Sequence, residues 1–173
     1  MKFAHLLALI AAIFIAAFDA PPAFAQQNVK VAAIAESDAP KAGSTTDLVI
    51  RFEPRSGWYG YWKNPGEGGV PADFRWKTPK GVSVGQPSWP APIALSYMGM
   101  TSYVMDGSYS LVFPMKIDAS IEAGTQIPVA FDATLFLCTK GLCSAQPVKG
   151  SIDLVVGDGA PSVIGSQMAK EAR

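Results

Sequence analysis

The chain has 173 residues, with 14 Lys and Arg against 14 Asp and Glu and a single histidine, so its formal net charge near neutrality is zero. No run of like charge interrupts this balance, which excludes nucleic acid and an anionic membrane surface as expected partners. At 49% hydrophobic and 16% charged residues, the composition is that of a single folded domain able to bury a real core without needing a disulfide to hold it together.

Lys2 and His5 give the amino terminus a short positive start, residues 6–18 are an apolar run, and Ala23-Phe24-Ala25 supplies the small residues that a signal peptidase reads. This pattern predicts a secretory signal peptide over residues 1–25, cleaved after Ala25. The apolar run of about a dozen residues is well short of the roughly 20 that span a bilayer. The mature chain is expected to be exported and not itself membrane-spanning. Its sole histidine, His5, leaves with the signal, so no imidazole remains to act as base or metal ligand.

From residue 26 the dominant signal is alternation with period two, broken by Gly and Pro, which predicts an all-β domain over residues 26–159. Leu48, Ile50 and Phe52 alternate with Val49, Arg51 and Glu53, and Phe74 and Trp76 with Asp73, Arg75 and Lys77. Residues 64–71, with Pro65, Gly66, Gly68 and Gly69, read as a flexible polar loop, and the prolines of Trp89-Pro90-Ala91-Pro92 cannot serve a central strand. Asp106-Gly107 lies between two apolar runs, 103–105 and 108–117, and predicts a two-residue hairpin turn. Further rows run Ile127, Val129, Phe131, Ala133, Leu135, Leu137 and Val148, Ile152, Leu154, Val156. Many short strands joined by turns predict an immunoglobulin-like β-sandwich of two antiparallel sheets. Residues 160–173 are expected to be a flexible tail with weak helical character.

Chemistry concentrates in Cys138 and Cys143, the two cysteines of the chain. In an oxidising compartment two sulfurs this close are expected to be joined. Counted along the strand from Ile127, Cys138 has the opposite parity to Leu135 and Leu137, and Thr139-Lys140-Gly141-Leu142 then turns the chain to Cys143. The pair closes a hairpin-like loop at a sheet end. A ring of about six residues stabilises by only roughly 2 kcal/mol in the chain-entropy model, against about 4 for a bridge spanning some 60 residues. As a staple the bond is poorly placed, which favours exchange, although small rings also occur as inert clips. Lys140 is the nearby charge that would favour a thiolate, and Cys143, between Gly141 and Ser144, is expected to be the more open sulfur.

Several blocks occur in order: Trp58-Tyr59-Gly60-Tyr61-Trp62-Lys63-Asn64-Pro65-Gly66, Trp89-Pro90-Ala91-Pro92, a hairpin over residues 97–117, and residues 131–143 preceding Ala145-Gln146-Pro147. Together they resemble the amino-terminal periplasmic domain of the thiol:disulfide interchange protein DsbD and its relatives. The resemblance implies an immunoglobulin-like domain in the periplasm that acts as a component of a thiol–disulfide oxidoreductase. Cys138 and Cys143 would be the redox pair, Tyr97-Met98-Gly99 the tip of a cap loop shielding it, and Tyr59 and Tyr61 the lining beneath. Leu95 and Ser96 stand where the best-known members carry acidic residues near the cap. The implied partners are periplasmic thioredoxin-like or disulfide isomerase proteins. Because the chain ends soon after the domain, the electron donor is expected on a separate chain, a membrane-embedded or thioredoxin-like reductase.

Competing readings come from other classes. One is a non-catalytic periplasmic adaptor whose disulfide only clips a loop. Another is a Cu(I)-binding module, since Met98, Met100 and Met105 offer thioethers with the two thiols elsewhere and soft ligands select that metal; methionines packing a cap or hairpin are the plainer account. Trp58 and Trp62 on one strand face, with Tyr59 and Tyr61 on the other, could stack on sugars, but such rows usually fill a core. No metal or other cofactor is expected. Scattered carboxylates and the lack of a base beside any serine exclude hydrolase chemistry.

Overall fold

A computed structural model describes residues 27–171, and the signal peptide expected over residues 1–25, with its cleavage point, lies outside them. The elements in chain order are β1 (Val29–Ala35), β2 (Thr45–Pro54), β3 (Tyr59–Gly66), β4 (Asp73–Lys77), β5 (Val82–Val84) and β6 (Ile93–Tyr97). There follow β7 (Met100–Asp106), β8 (Tyr109–Ile117), β9 (Gln126–Cys138), β10 (Cys143–Val155) and a helix, α1 (Val163–Glu171).

Period-two burial builds two antiparallel sheets. One has the order β1-β2-β8-β5 and the other β10-β9-β3-β7-β6, with β4 pairing β9 beside β3. Leu48, Ile50 and Phe52 of β2 pack inward with Leu111, Phe113 and Met115 of β8. From the opposite sheet β9 contributes Ile127, Val129, Phe131, Leu135 and Leu137, all buried. Phe74 and Trp76 of β4 cross the gap to Phe113 at centroid separations of 4.9 and 5.0 Å, both edge-on, the geometry that aromatic quadrupoles favour. Phe131 finds room because its cross-strand neighbour is Gly150, where a Cβ would lie 2.5 Å from the ring.

Two sequence expectations are corrected. Asp106-Gly107 does not close a hairpin: β7 pairs with β3 and β6, whereas β8 pairs with β2 and β5. The turn carries the chain from one sheet to the other, with Gly107 at φ 74°. Tight-turn residues report only that the chain reverses. Here the flanking apolar faces are buried against each other across the sandwich rather than side by side in one sheet.

The second correction concerns the tail, which forms α1. Ser162 caps it, its Oγ accepting from the Gly165 N–H at 3.0 Å. Gly165 lets the helix sit close, since a Cβ there would lie 2.0 Å from the Ala35 carbonyl oxygen. Ala169 then packs on Val49 and Val112, valines on the outer face of the four-stranded sheet. Their apolar side chains need a cover, and the helix supplies it. No helix among the described residues is long and apolar enough to cross a membrane.

Candidate functional site

Strand β9 ends at Cys138 and β10 begins at Cys143, directly opposite each other in the ladder. Their sulfurs are bonded and their Cα atoms are 4.1 Å apart. Thr139 shapes the turn between them: its N–H donates to the Leu142 carbonyl at 2.8 Å. Its Oγ1 accepts from the N–H groups of Leu142 and Gly141 at 3.1 and 3.3 Å, the local bonding by which threonine favours turns. Lys140 and Leu142 stand exposed in this turn.

Strand parity decides what surrounds the sulfurs. Leu137 points into the core, so Cys138 faces the outside of its sheet. Tyr59 of β3 is its register partner there, and Asp106 of β7 is paired with Tyr59 in turn. Asp106, Tyr59, Cys138 and Cys143 therefore form one row across four strands. The Tyr61 hydroxyl donates to Cys138 Sγ at 3.3 Å, and the Tyr59 hydroxyl donates to the Thr139 carbonyl at 3.4 Å. The two rings meet edge-on at 5.9 Å. Burial first, and then the neighbouring Tyr61 and Tyr97 hydroxyls, push the Tyr59 phenol above its ordinary range, so it stays a neutral donor.

These contacts leave the two sulfurs unequal. Cys138 is only 2% exposed, whereas Cys143 lies open at the sheet end. Strand β10 begins at Cys143 on the edge of the sheet, while Cys138 is covered by the tyrosines.

Tyr97, Met98 and Gly99 form the tip of the β6–β7 hairpin, with Tyr97 paired to Met100. Met98 and Gly99 have φ of 51° and 82°, both left-handed, as a type I′ turn requires. Met98 at the tip is 82% exposed. A left-handed methionine is strained, so Met98→Asn should raise stability by about 1 kcal/mol without altering disulfide chemistry. Urea unfolding of the oxidised protein checks this, and an unchanged midpoint would contradict it.

A supporting loop was not legible as part of the site. Residues 64–71, expected to be flexible, are pressed against it: Gly69, at φ 102°, lies on the Tyr61 ring so closely that a Cβ would be 2.1 Å from its carbons. Glu67 grips Thr101 of β7 through both backbone groups. The signal available in sequence was the density of glycines, which marks close backbone approach as well as flexibility. The methionines do not converge, since Met105 is in the core while Met98 and Met100 are exposed. Trp58 and Trp62 pack against the core, and Trp62 Nε1 donates to the Pro90 carbonyl at 3.0 Å, so the indoles form no open stacking row. Two clefts, of about 380 and 290 Å³, are lined by neither cysteine.

A two-sheet sandwich with a cross-strand disulfide at its rim, one sulfur open and the other under a tyrosine pair, defines an immunoglobulin-like disulfide domain. The chain belongs to the DsbD amino-terminal family: the model described as thiol:disulfide interchange protein DsbD, N-terminal, matches residues 25–152. Among solved structures it is similar to the N-terminal periplasmic domain of ScsB from Proteus mirabilis, at 23% identity and a TM-score of 0.56, covering 83% of this chain and 52% of that one. It thus spans about half the length of that relative. The reduced DsbD N-terminal domain of Neisseria meningitidis matches at 20% identity and a TM-score of 0.43, covering 74% of this chain and 86% of that one. The meningococcal complex of the DsbD and PilB N-terminal domains matches at 22% and 0.44, covering 85% of this chain and 97% of that one. No curated protein sequence matches the chain.

Proposed function

We propose that the chain is a periplasmic thiol–disulfide exchange module that carries electron pairs on Cys138 and Cys143. The observation that carries this reading is the inequality of the sulfurs: Cys143 is open to an incoming thiolate, and Cys138 is held beside a hydroxyl donor suited to a departing one. Family membership supports it.

In the electron-accepting half-reaction, a thiolate of a reduced partner attacks Cys143 Sγ. A partner–Cys143 disulfide forms, the Cys138–Cys143 bond breaks, and Cys138 leaves as a thiolate. Tyr61 donates its hydroxyl hydrogen bond to that charge, and solvent then supplies the proton. The partner's second thiol, deprotonated, attacks its own bonded sulfur and releases Cys143. The partner ends as a disulfide and this chain as a dithiol, two electrons and two protons richer. The reverse sequence delivers them to an oxidised client. The donor is a membrane-embedded or thioredoxin-like reductase. The clients are periplasmic thioredoxin-like or disulfide isomerase proteins, in keeping with the complex that a meningococcal DsbD N-terminal domain forms with the PilB N-terminal domain. Export uses the signal peptide cleaved after Ala25.

Equilibration of the mature protein with glutathione or thioredoxin couples tests the proposal. The pair should titrate well above the roughly −300 mV that marks a structural bond. A potential below that value would reduce the disulfide to a clip.

A further inference from the structure

Two bonds near the ends of β10 fix which way its backbone groups point. The Thr139 N–H donates to the Leu142 carbonyl at 2.8 Å, and the Val156 N–H donates to the Thr125 carbonyl at 2.9 Å. The register between them is unbroken, and in an antiparallel ladder the hydrogen-bonded pairs alternate. Leu142, Ser144, Gln146 and the even positions up to Val156 therefore bond toward β9. Cys143, Ala145 and the odd positions after them turn their backbone groups to the other side. The Val155 N–H agrees, donating away from β9 to the Asp38 carbonyl at 3.4 Å. Strand β10 is the last of its sheet, Cys143 and Ala145 are exposed, and no described residue pairs with the backbone of either. Pro147, the next odd position, has no N–H and interrupts the edge. Beside the disulfide the open edge thus offers two N–H groups.

Thiol–disulfide exchange comes in over this same edge. A thiolate displaces a thiolate in line, so the incoming sulfur stands opposite the departing one across the sulfur under attack. Cys138 lies on the β9 side of Cys143, which brings an attack on Cys143 Sγ from the open side of β10. A segment laid antiparallel along the edge exchanges two hydrogen bonds with Ala145, through its N–H and its carbonyl. The segment's side chains then pass Cys143 on the same face. Phe136, half-buried opposite Ala145 on that outer face, gives the segment an apolar surface to rest on.

We propose that the edge of β10 over residues 143–145 is a docking strand for an extended segment of a partner thiol protein, which pairs with the backbone of Ala145 and so delivers its thiolate to Cys143. This rests on the exchange reading for its purpose. Reduction of the oxidised mature protein is measured with two reductants, reduced thioredoxin and dithiothreitol, for wild type, Ala145→Pro and Ala145→Ser. Proline removes the edge N–H without touching a bond to β9, and Pro147 shows that the strand accepts a proline at this parity. Serine keeps the N–H.

Ala145→Pro should slow thioredoxin by about tenfold and leave dithiothreitol within about twofold, and Ala145→Ser should leave both within about twofold. An unchanged thioredoxin rate in Ala145→Pro would overturn the docking strand. An equal loss with both reductants would also overturn it, because dithiothreitol has no backbone to pair, and so would a serine variant as slow as the proline one. A second measurement does not depend on the proline variant folding. Cys138→Ala is joined through Cys143 to a single-cysteine thioredoxin activated with nitrothiobenzoate, which forces the bond whatever the native potential. Amide hydrogen exchange at Ala145 should then be at least about tenfold slower than in the free protein, and an unchanged rate would refute the pairing. Should the wild-type pair have a structural potential, the exchange reading falls, and protection at Ala145 still decides whether the edge takes a strand.

Discussion

Cys138→Ala should leave a thiol at Cys143 that reacts with Ellman's reagent at least about 100-fold faster than the thiol left at Cys138 by Cys143→Ala. Both variants lose the same small ring, so both forfeit the same roughly 2 kcal/mol and the comparison is not distorted by unequal unfolding. What differs is access. Cys143 lies open at the sheet edge, whereas Cys138 is 2% exposed beneath Tyr61. A thiol that reacts only when its cover opens is slowed by the opening constant, and a local opening that costs about 3 kcal/mol corresponds to roughly two decades in rate. The same asymmetry sets the trapping result. A thioredoxin-like partner carrying one cysteine activated as a mixed disulfide with nitrothiobenzoate should be captured by Cys138→Ala, with release of one nitrothiobenzoate. Cys143→Ala should capture little. Equal rates for the two variants would show that the attacked sulfur is not chosen by burial.

Gly69→Ala should cost about 3 kcal/mol in stability of the oxidised protein and should speed reduction of the disulfide several-fold. Two penalties coincide at this position. A φ of 102° is strained for any residue with a Cβ, and the added carbon would sit 2.1 Å from the Tyr61 ring. The loop must lift, uncovering the Tyr61 ring, or the ring must turn, which takes its hydroxyl from Cys138. Gly68→Ala is the matched control, since its Cβ would meet nothing nearer than the Ser102 hydroxyl oxygen at 3.3 Å. It should change stability by less than about 1 kcal/mol. A Gly69→Ala protein with the wild-type urea midpoint and reduction rate would show that the loop contributes nothing to the site.

Tyr59 and Tyr61 were placed near the sulfurs by resemblance, and the register explains why they belong there. Tyr59 and Cys138 are cross-strand partners, and strand parity carries Tyr61 to the same face two residues on. Glu67, Gly69 and Thr101 had no comparable signal. A glutamate in a glycine-rich stretch reads as a solvated loop until a strand 34 positions away brings a backbone N–H to it. The Asp106-Gly107 turn was visible as a reversal, but the pairing that separates β7 from β8 was not. Residues on both sides alternate equally well whether they lie in one sheet or face each other across two.

Alternation, turns and the cysteine spacing are local properties, set by backbone geometry over a few residues. The sequence by itself therefore determined an all-β chain, its buried rows such as Ile127 to Leu137, and two sulfurs at a strand end. Only the tertiary structure decided which sheet each strand joined, that α1 covers Val49 and Val112, and that Cys138 is sealed beneath Tyr61. Those outcomes depend on contacts between segments far apart in the chain, where burial of one surface against another, rather than any residue's own preference, selects the arrangement.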